Sequence, residues 1–311
     1  MSTVWGIPYL FIKVAVDDGV SPGFLAWSRV VLAAAVLLAL AWHAGTLASL
    51  RGRWRWLALF AIVEIAIPFP LIAEGERHID SSVAAIIIAT APLIVAILAL
   101  RFDASERVSG RRLAGLLIGL GGVVALVGID VAGRPDELLG ASAILVAATG
   151  YAAGPMVLNR KLADADPRAT MGASLAIAGV LLTPLAAAGA PTAGVPGRAV
   201  AALLILGLVC TAAAFVIYSG LIAEVGAGRA LVITYVAPVV AVALGTTVLG
   251  ERPGAGAIAG LLLIVAGSWL STGGGLPPGP TATVAHLRRR RRARRAGATA
   301  GGSDHEPARV S

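Results

Sequence analysis

The sequence contains few charged residues. Asp, Glu, Lys and Arg make up only 14% of its 311 residues, and 58% are hydrophobic, whereas an average soluble domain is about a quarter charged. The charges lie in short clusters between apolar runs of about twenty residues, the length at which a helix crosses a ~30 Å hydrocarbon layer. A helix on the surface of a soluble domain requires a polar face. Runs such as 30–42 and 86–100 have none. These features exclude a large soluble domain and predict an all-α integral membrane protein.

Cysteine and histidine are also scarce. Cys210 is the single cysteine and lies inside an apolar run, so the chain cannot form an intrachain disulfide. The four histidines are scattered and predict no metal site. The sequence also lacks the motifs of zinc peptidases, serine hydrolases and phosphate-binding loops. These absences argue against an enzyme, a bound cofactor and ATP-driven transport by this chain alone.

The formal net charge of +8 comes mostly from one segment near the C-terminus. Seven arginines lie between Arg288 and Arg295, with no aromatic residue among them. Residues 273–280 are rich in glycine and proline, and the remainder is polar and basic. We therefore predict that residues 273–311 form a disordered cytoplasmic tail. Its arginines favour contact with anionic lipid over binding of nucleic acid.

Ten apolar segments follow one another along the chain. They cover approximately residues 3–16, 23–43, 54–73, 81–100, 112–130, 139–158, 169–189, 199–222, 228–249 and 254–272. With the N-terminus in the cytoplasm, the inner loops contain eleven Arg and Lys residues and the outer loops four, the bias that sets membrane orientation. We predict a multi-pass inner-membrane protein with both termini in the cytoplasm. The first segment is shorter than a ~30 Å core requires, so we also expect a translation start upstream of Met1.

The two halves of the chain repeat each other. Ala91-Pro92, for example, recurs as Ala237-Pro238 after 146 residues. Because each half has five segments, an odd number, the halves 1–130 and 139–272 are predicted to be inverted relative to each other. Two inverted five-helix repeats are the plan of many secondary transporters, since inversion supplies two exchangeable arrangements of one fold. The alternative is a duplicated membrane scaffold that transports nothing.

Small and acidic residues mark the fifth and tenth segments. Gly115, Gly119 and Gly122 have the spacing that lets helix backbones approach closely, either within the chain or between the subunits of a homodimer. Glu106 and Glu251 stand just before the fifth and tenth segments. We predict that these two carboxylates cap the starts of those helices.

Three stretches of the sequence are similar to a known family. They are WGIPYLFIK at Trp5–Lys13, the stretch Ile67–Ala99, and LGERPGAGAIAGLLLIVAG at Leu249–Gly267. In this order they resemble the first helix, the third and fourth helices, and the closing pair of the EamA family in the drug/metabolite transporter superfamily. The resemblance covers about residues 4–272. It implies ten helices and the export of small metabolites or drugs.

Prolines and polar side chains within the segments are candidates for a substrate site. A proline removes a helical hydrogen bond, and a membrane tolerates this where the freed carbonyl lines a cavity or meets another helix. A buried hydroxyl binds either a substrate or a nearby carbonyl. The candidates are Thr90, Pro92, Tyr151, Tyr218, Thr234, Tyr235 and Pro238. The paired prolines predict a central cavity between the fourth and ninth segments, with kinking for packing as the alternative.

Three charged residues, Lys13, Arg29 and Glu64, lie inside predicted segments. Lys13 either extends to the interface or meets an anionic substrate group. Glu64 and Arg29 lie at similar depths, about 13 and 10 Å from the outer end at ~1.5 Å per residue. An unpaired charge at such depth costs at least about 2.5–3.5 kcal/mol, so we expect the two to be neighbours. They form either a salt bridge between helices or a site at which Glu64 carries the coupling proton.

Together these features predict a secondary active exporter of a small metabolite, such as an amino-acid-like compound, or of a drug. Its partners are the substrate and the lipid bilayer. An intramembrane enzyme or lipid-handling protein is the alternative from another class. It needs a nucleophile with its base or two facing aspartates, whereas aspartates such as Asp17 and Asp130 lie at segment ends. A channel or scaffold is a third alternative. Flux measured in sealed vesicles with and without a proton gradient distinguishes it from a secondary transporter.

Deletion of residues 277–311 tests the prediction for the tail. We expect the shortened protein to insert in the membrane and to transport as well as the full chain, because the deleted residues are too polar to pack a core. Membrane fractionation and flux measurement check this. Loss of the shortened protein from the membrane fraction would contradict the prediction.

Overall fold

All regular structure in the described residues is helical. The structure, a computed structural model, describes residues 2–102, 110–131, 133–192, 194–218 and 232–271, and within these ranges it contains no strand. The helices are α1 (Ser2–Asp17), α2 (Pro22–His43), α3 (Trp54–Gly75), α4 (Ser81–Ile88 and Ala91–Phe102), α5 (Arg111–Leu126, continued by Val127–Val131), α6 (Pro135–Leu162), α7 (Pro167–Ala188), α8 (Gly197–Tyr218), α9 (Val232–Val248) and α10 (Ala255–Ser271).

Length and composition suit these helices to a bilayer. Within the described ranges six are long and apolar enough to cross it: α2, α3, the part Leu113–Val131 of α5, α6, α7 and α8. Shorter apolar helices occupy Ser81–Val95, Val236–Val248 and Ala255–Ser271. The predicted helical membrane architecture is therefore confirmed. The predicted tail and Glu106 lie outside the described residues.

Two helices begin at a capping residue followed by proline. Ser21 precedes α2, and its Oγ accepts a hydrogen bond from the Phe24 amide at 3.3 Å. Asp166 precedes α7 and accepts from two amides of the first turn, at 3.0 and 3.1 Å. A proline at the next position costs nothing, because the first amides of a helix have no partner within it. These local signals fix where α2 and α7 begin.

Two other helices are capped from a distance. The Glu251 carboxylate accepts from the amide of Ser81 at 2.8 Å and from that of Ser82 at 3.0 Å, at the start of α4. Asp130 accepts from the amides of Gly256 and Ala257, at the start of α10. Glu251 therefore caps α4, and the prediction that it caps the tenth segment is wrong. The reason is tertiary, since α4 and α9 pack together and bring the loop after α9 to the start of α4.

Helices α3, α4 and α8 are irregular within their length. In α3 the turns Ala61–Ala66 are π-helical, and in α8 the turns Ile205–Ala213 are also π-helical. Helix α4 is interrupted before Pro92, whose ring is incompatible with a hydrogen-bonded position inside a helix. Such breaks in the regular ladder are frequent at functional sites because they reorient side chains.

Helices α5 and α10 pack closely through glycine. A Cβ atom on Gly267 would collide with the backbone of Gly115 and Gly119, and one on Gly122 would lie 2.9 Å from the Ile264 amide nitrogen. The predicted close approach at the glycines of the fifth segment is confirmed, and it occurs within one chain. Other extensive contacts join α2 with α7, α1 with α9, and α3 with α6.

The loops of the bundle meet at two ends. At one end, Arg198 at the start of α8 pairs with Asp18 after α1, with Nη2 and Oδ1 2.7 Å apart. At the other, Arg53 before α3 lies 3.9 Å from the Asp164 carboxylate after α6. We call the first the acidic end, and its loops include residues 18–21, 76–80, 189–196 and 249–254. Arginine, lysine and exposed tryptophan flank the second, which we call the basic end.

The contact between α5 and α10 leads to a stability prediction. We expect Gly267→Val to destabilise the fold by at least about 1–3 kcal/mol, because an added side chain must push two backbones apart. Gly121→Val, on the open face of α5 where no atom lies within 4 Å, is the matched control. Thermal unfolding of the detergent-purified variants measures the difference. Equal unfolding temperatures for the two variants would show that the contact is not close.

Candidate functional site

Arg29 is buried in α2 with a side chain that is only 8% exposed. Its Nε donates a hydrogen bond of 2.8 Å to the Thr211 hydroxyl in the π-helical part of α8, and that hydroxyl donates to the Leu206 carbonyl. The guanidinium carbon lies 4.2 Å from the centre of the Phe69 ring in α3. A cation held over an aromatic face is stabilised without a carboxylate. The guanidinium is thus positioned by neutral groups and forms no ion pair in the described structure.

Glu64 lies in the π-helical part of α3. Its Oε2 is buried and has no hydrogen-bond partner, and the carboxyl lies directly against Gly154 of α6, where a side chain would displace it. The predicted Arg29–Glu64 ion pair is therefore not formed. Thr211 and Phe69 hold the guanidinium instead, and the Glu64 carboxyl is left without a counter-charge.

Two tyrosines lie within electrostatic range of these groups. Tyr151 of α6 is within electrostatic range of both Arg29 and Glu64. Tyr9 of α1 is within range of Tyr151 and Arg29. We call Tyr9, Arg29, Glu64 and Tyr151 the polar centre. It brings together side chains from α1, α2, α3 and α6, that is, from both predicted halves of the chain.

Three further candidates make contacts outside the polar centre. The Thr90 hydroxyl donates to the Ile87 carbonyl at 2.7 Å, which is the alternative to substrate binding for a buried hydroxyl. Tyr218 packs on Trp5, with ring centres 4.7 Å apart. The Lys13 ammonium donates to the backbone carbonyl of Glu76 at 2.8 Å.

The paired prolines lie in helices that touch. Pro92 is half-buried near the start of the second part of α4, and Pro238 is buried inside α9. Helices α4 and α9 pack directly against each other. The side chains of Thr234 and Tyr235 lie outside the described residues, so their predicted substrate contacts stay predictions.

Sequence reasoning missed several residues of the site. Thr211 and Phe69, which position Arg29, look like ordinary members of apolar runs. Tyr9 precedes Lys13 by one helical turn and so lies on the same face of α1; that spacing was a usable signal. In the sequence Glu76 looks like an acidic residue of a solvent-exposed loop, but in the structure it is fully buried. No group of His, Cys, Asp and Glu able to hold a metal occurs in the described ranges.

Comparison with known proteins agrees with this architecture. The sequence profile of the EamA-like transporter family matches residues 1–128 and 138–273. A crystal structure of a protein with 21% identity superposes with a TM-score of 0.60 over 86% of this chain and 95% of that one, which supports the fold.

Individual relatives extend the comparison. The uncharacterized inner membrane transporter YedA of Escherichia coli K12 is 30% identical over 80% of each chain. A probable terminal-alkyne amino-acid exporter of Streptantibioticus cattleyicolor is 29% identical over 84% of this chain and 89% of its own. Protein PagO of Salmonella typhimurium is 33% identical over 42% of this chain, a match that spans 41% of PagO. This chain is a membrane transporter that belongs to the EamA-like transporter family.

Proposed function

We propose that the protein is a secondary active exporter of a small amino-acid-like metabolite and that it works by alternating access. Membership of a transporter family supports transport in place of catalysis. The name of the Streptantibioticus relative, an amino-acid exporter, supports the class of substrate. The observation that carries the proposal is the polar centre, where Arg29 and Glu64 both lie within electrostatic range of Tyr151 but are not paired with each other.

An amino acid matches the two groups of the polar centre. Its carboxylate fits the Arg29 guanidinium, because Nε is bound to Thr211 and the remaining N–H groups form a fork suited to a carboxylate. Its ammonium group fits the Glu64 carboxyl, whose Oε2 has no partner. A zwitterion thus supplies a partner to both side chains at once. This relieves the cost of charge inside the membrane only while substrate is bound.

We also propose ten membrane spans arranged as two inverted repeats, α1–α5 and α6–α10. The helix contacts support this, because each contact has a counterpart when α1–α5 are exchanged with α6–α10. The contact of α1 with α9 corresponds to that of α6 with α4. In the same way α3 with α6 corresponds to α8 with α1, and α2 with α8 corresponds to α7 with α3. The π-helical turns of α3 and α8 match as well. In the sequence, Leu71-Ile72-Ala73-Glu74 recurs as Leu221-Ile222-Ala223-Glu224.

A cytoplasmic location for both termini completes the proposal. The arginines and lysines that flank the basic end support it, since such residues are retained on the cytoplasmic side. On this orientation the acidic end faces the periplasm, and the polar centre lies between the two.

Reporter fusions test the orientation. We expect alkaline phosphatase, which is active only in the periplasm, to be silent when fused after Ser271 and active when inserted in the loop 189–196. Cytoplasmic fluorescence of a green fluorescent protein fusion after Ser271 is the complementary measurement. Phosphatase activity of the Ser271 fusion would overturn the orientation.

Substitutions in the polar centre test the binding site. In vesicles that contain the full chain, we expect Arg29→Gln and Glu64→Gln each to raise the KM for exported amino acids about ten- to a hundredfold. A hydrogen bond to a charged group contributes about 1.5–3 kcal/mol, and each 1.4 kcal/mol is tenfold in affinity. Glu137→Gln is the control, because this carboxyl at the start of α6 is half-buried and pairs with Arg134.

The same vesicles separate the possible roles of Glu64. An unchanged KM in both variants would contradict substrate binding at the polar centre. A different result would support the coupling role predicted for Glu64. In that case Glu64→Gln loses gradient-driven flux but still exchanges substrate with a normal KM. Flux of wild-type protein that never exceeds passive equilibration would favour a channel.

A further inference from the structure

Glu76 is the most deeply buried carboxyl of the acidic end. It follows Gly75, the last residue of α3, and its relative exposure is 0%. Neither Oε1 nor Oε2 has a hydrogen-bond partner. Its neighbour Glu74 differs in both respects, since that carboxylate is 39% exposed and binds Arg77 at 3.2 Å and His78 at 3.3 Å. Burial without a partner thus distinguishes Glu76 from the acids around it.

A cation lies beside Glu76 without pairing with its carboxyl. The Lys13 ammonium of α1 donates to the backbone carbonyl of Glu76 at 2.8 Å and lies 3.3 Å from the Asp17 carboxylate. The Lys13 ammonium thus lies against the backbone of Glu76 while its charge is shared with Asp17.

Charged and titratable groups approach Glu76 from three elements of the structure. From α1 these are Lys13, Asp17 and the Tyr9 hydroxyl, from α2 Arg29, and from the loop after α9 Glu251. Helix α6 contacts the preceding residue, Gly75, with apolar atoms of Ile144 and a backbone carbonyl. Burial is the dominant effect and raises the pKa of the Glu76 carboxyl well above its ordinary value, against the opposing field of Lys13.

An ionised carboxylate in this position would lack both water and a partner, which costs several kcal/mol. Binding a proton removes most of that cost. Burial without a partner therefore favours the protonated form of Glu76 in the conformation described here. A second conformation that exposes the carboxyl to water allows the proton to leave.

Helix α1 connects this carboxyl to the polar centre. Tyr9 and Lys13 lie one turn apart on one face of α1. Tyr9 is within electrostatic range of Tyr151 and Arg29 in the polar centre and of Glu76 at the acidic end. Tyr9 and Lys13 thus connect the polar centre to Glu76 along one face of α1.

We propose that Glu76 is the proton-carrying carboxyl of the exporter, with Lys13 as the positioning residue that lies against it. This inference rests on the proposed function of export by alternating access. In each cycle the Glu76 carboxylate binds one proton from water at the acidic end and releases it to water on the opposite side. Substrate leaves in the opposite direction, so the proton gradient drives its export.

A measurement without substrate tests proton binding itself. In infrared spectra of the purified full chain at neutral pH, we expect one protonated carboxyl band in the wild type that is missing in Glu76→Gln and retained in Glu74→Gln. Identical carboxyl bands in wild type and Glu76→Gln would overturn the proposal. This result does not depend on what the protein transports.

Flux measurements test coupling. Proteoliposomes containing the full chain are supplied with an equimolar mixture of labelled amino acids as the probe. We expect Glu76→Gln to lose accumulation driven by a pH gradient while retaining counterflow, and Glu74→Gln to match the wild type. Gradient-driven accumulation by Glu76→Gln with an unchanged pH profile overturns the proposal. Wild-type protein without counterflow would contradict the proposed function instead, and the infrared result would still decide whether Glu76 holds a proton.

A second variant covers the case in which Glu76→Gln does not fold. Glu76→Asp keeps a titratable carboxyl but carries it on a side chain that is one methylene shorter. We expect it to retain gradient-driven accumulation with a displaced pH profile. A profile identical to that of the wild type would contradict a proton-carrying role for this residue.

Discussion

A charge inside a membrane protein needs a neutralising partner, and the arrangement around Arg29 depends on how this need is met. The guanidinium is held by a hydroxyl of α8 and an aromatic ring of α3, both neutral. Its positive charge is therefore stabilised but not cancelled. The carboxyl of Glu64 likewise has no hydrogen-bond partner at Oε2. A cation without a counter-charge and a carboxyl without a partner favour a ligand that carries both an anionic and a cationic group.

The irregularities of the helices serve the same constraint. The π-helical turns in α3 carry Glu64, and those in α8 carry Thr211. A regular helix would turn these side chains in other directions. The apolar remainder packs through small residues, as in the glycine contacts between α5 and α10, because helices in lipid associate through close packing and not through the hydrophobic effect. The polar centre is thus held by a framework that packs through small and apolar side chains and has polar contacts at the helix ends.

The sequence predicts the framework better than the site. Apolar runs, the glycine spacing of α5 and the motifs of the first and last helices correctly indicate a helical transporter of this family, because these signals are local. The pairing of Arg29 with Glu64 was predicted from depth alone, and depth does not say which groups on other helices compete for the guanidinium. Glu251 was misjudged and Glu76 was missed for a related reason. Their surroundings come from α4 and α1, which are distant in sequence.

The central claim is that the polar centre recognises an amino acid by both of its charges. The most direct measurement is competition in counterflow between the transported amino acid, its amide, which lacks the carboxylate, and the matching deaminated acid, which lacks the ammonium. Recognition by Arg29 and Glu64 predicts that only the compound with both groups competes at low concentration. Equal competition by all three compounds would contradict it.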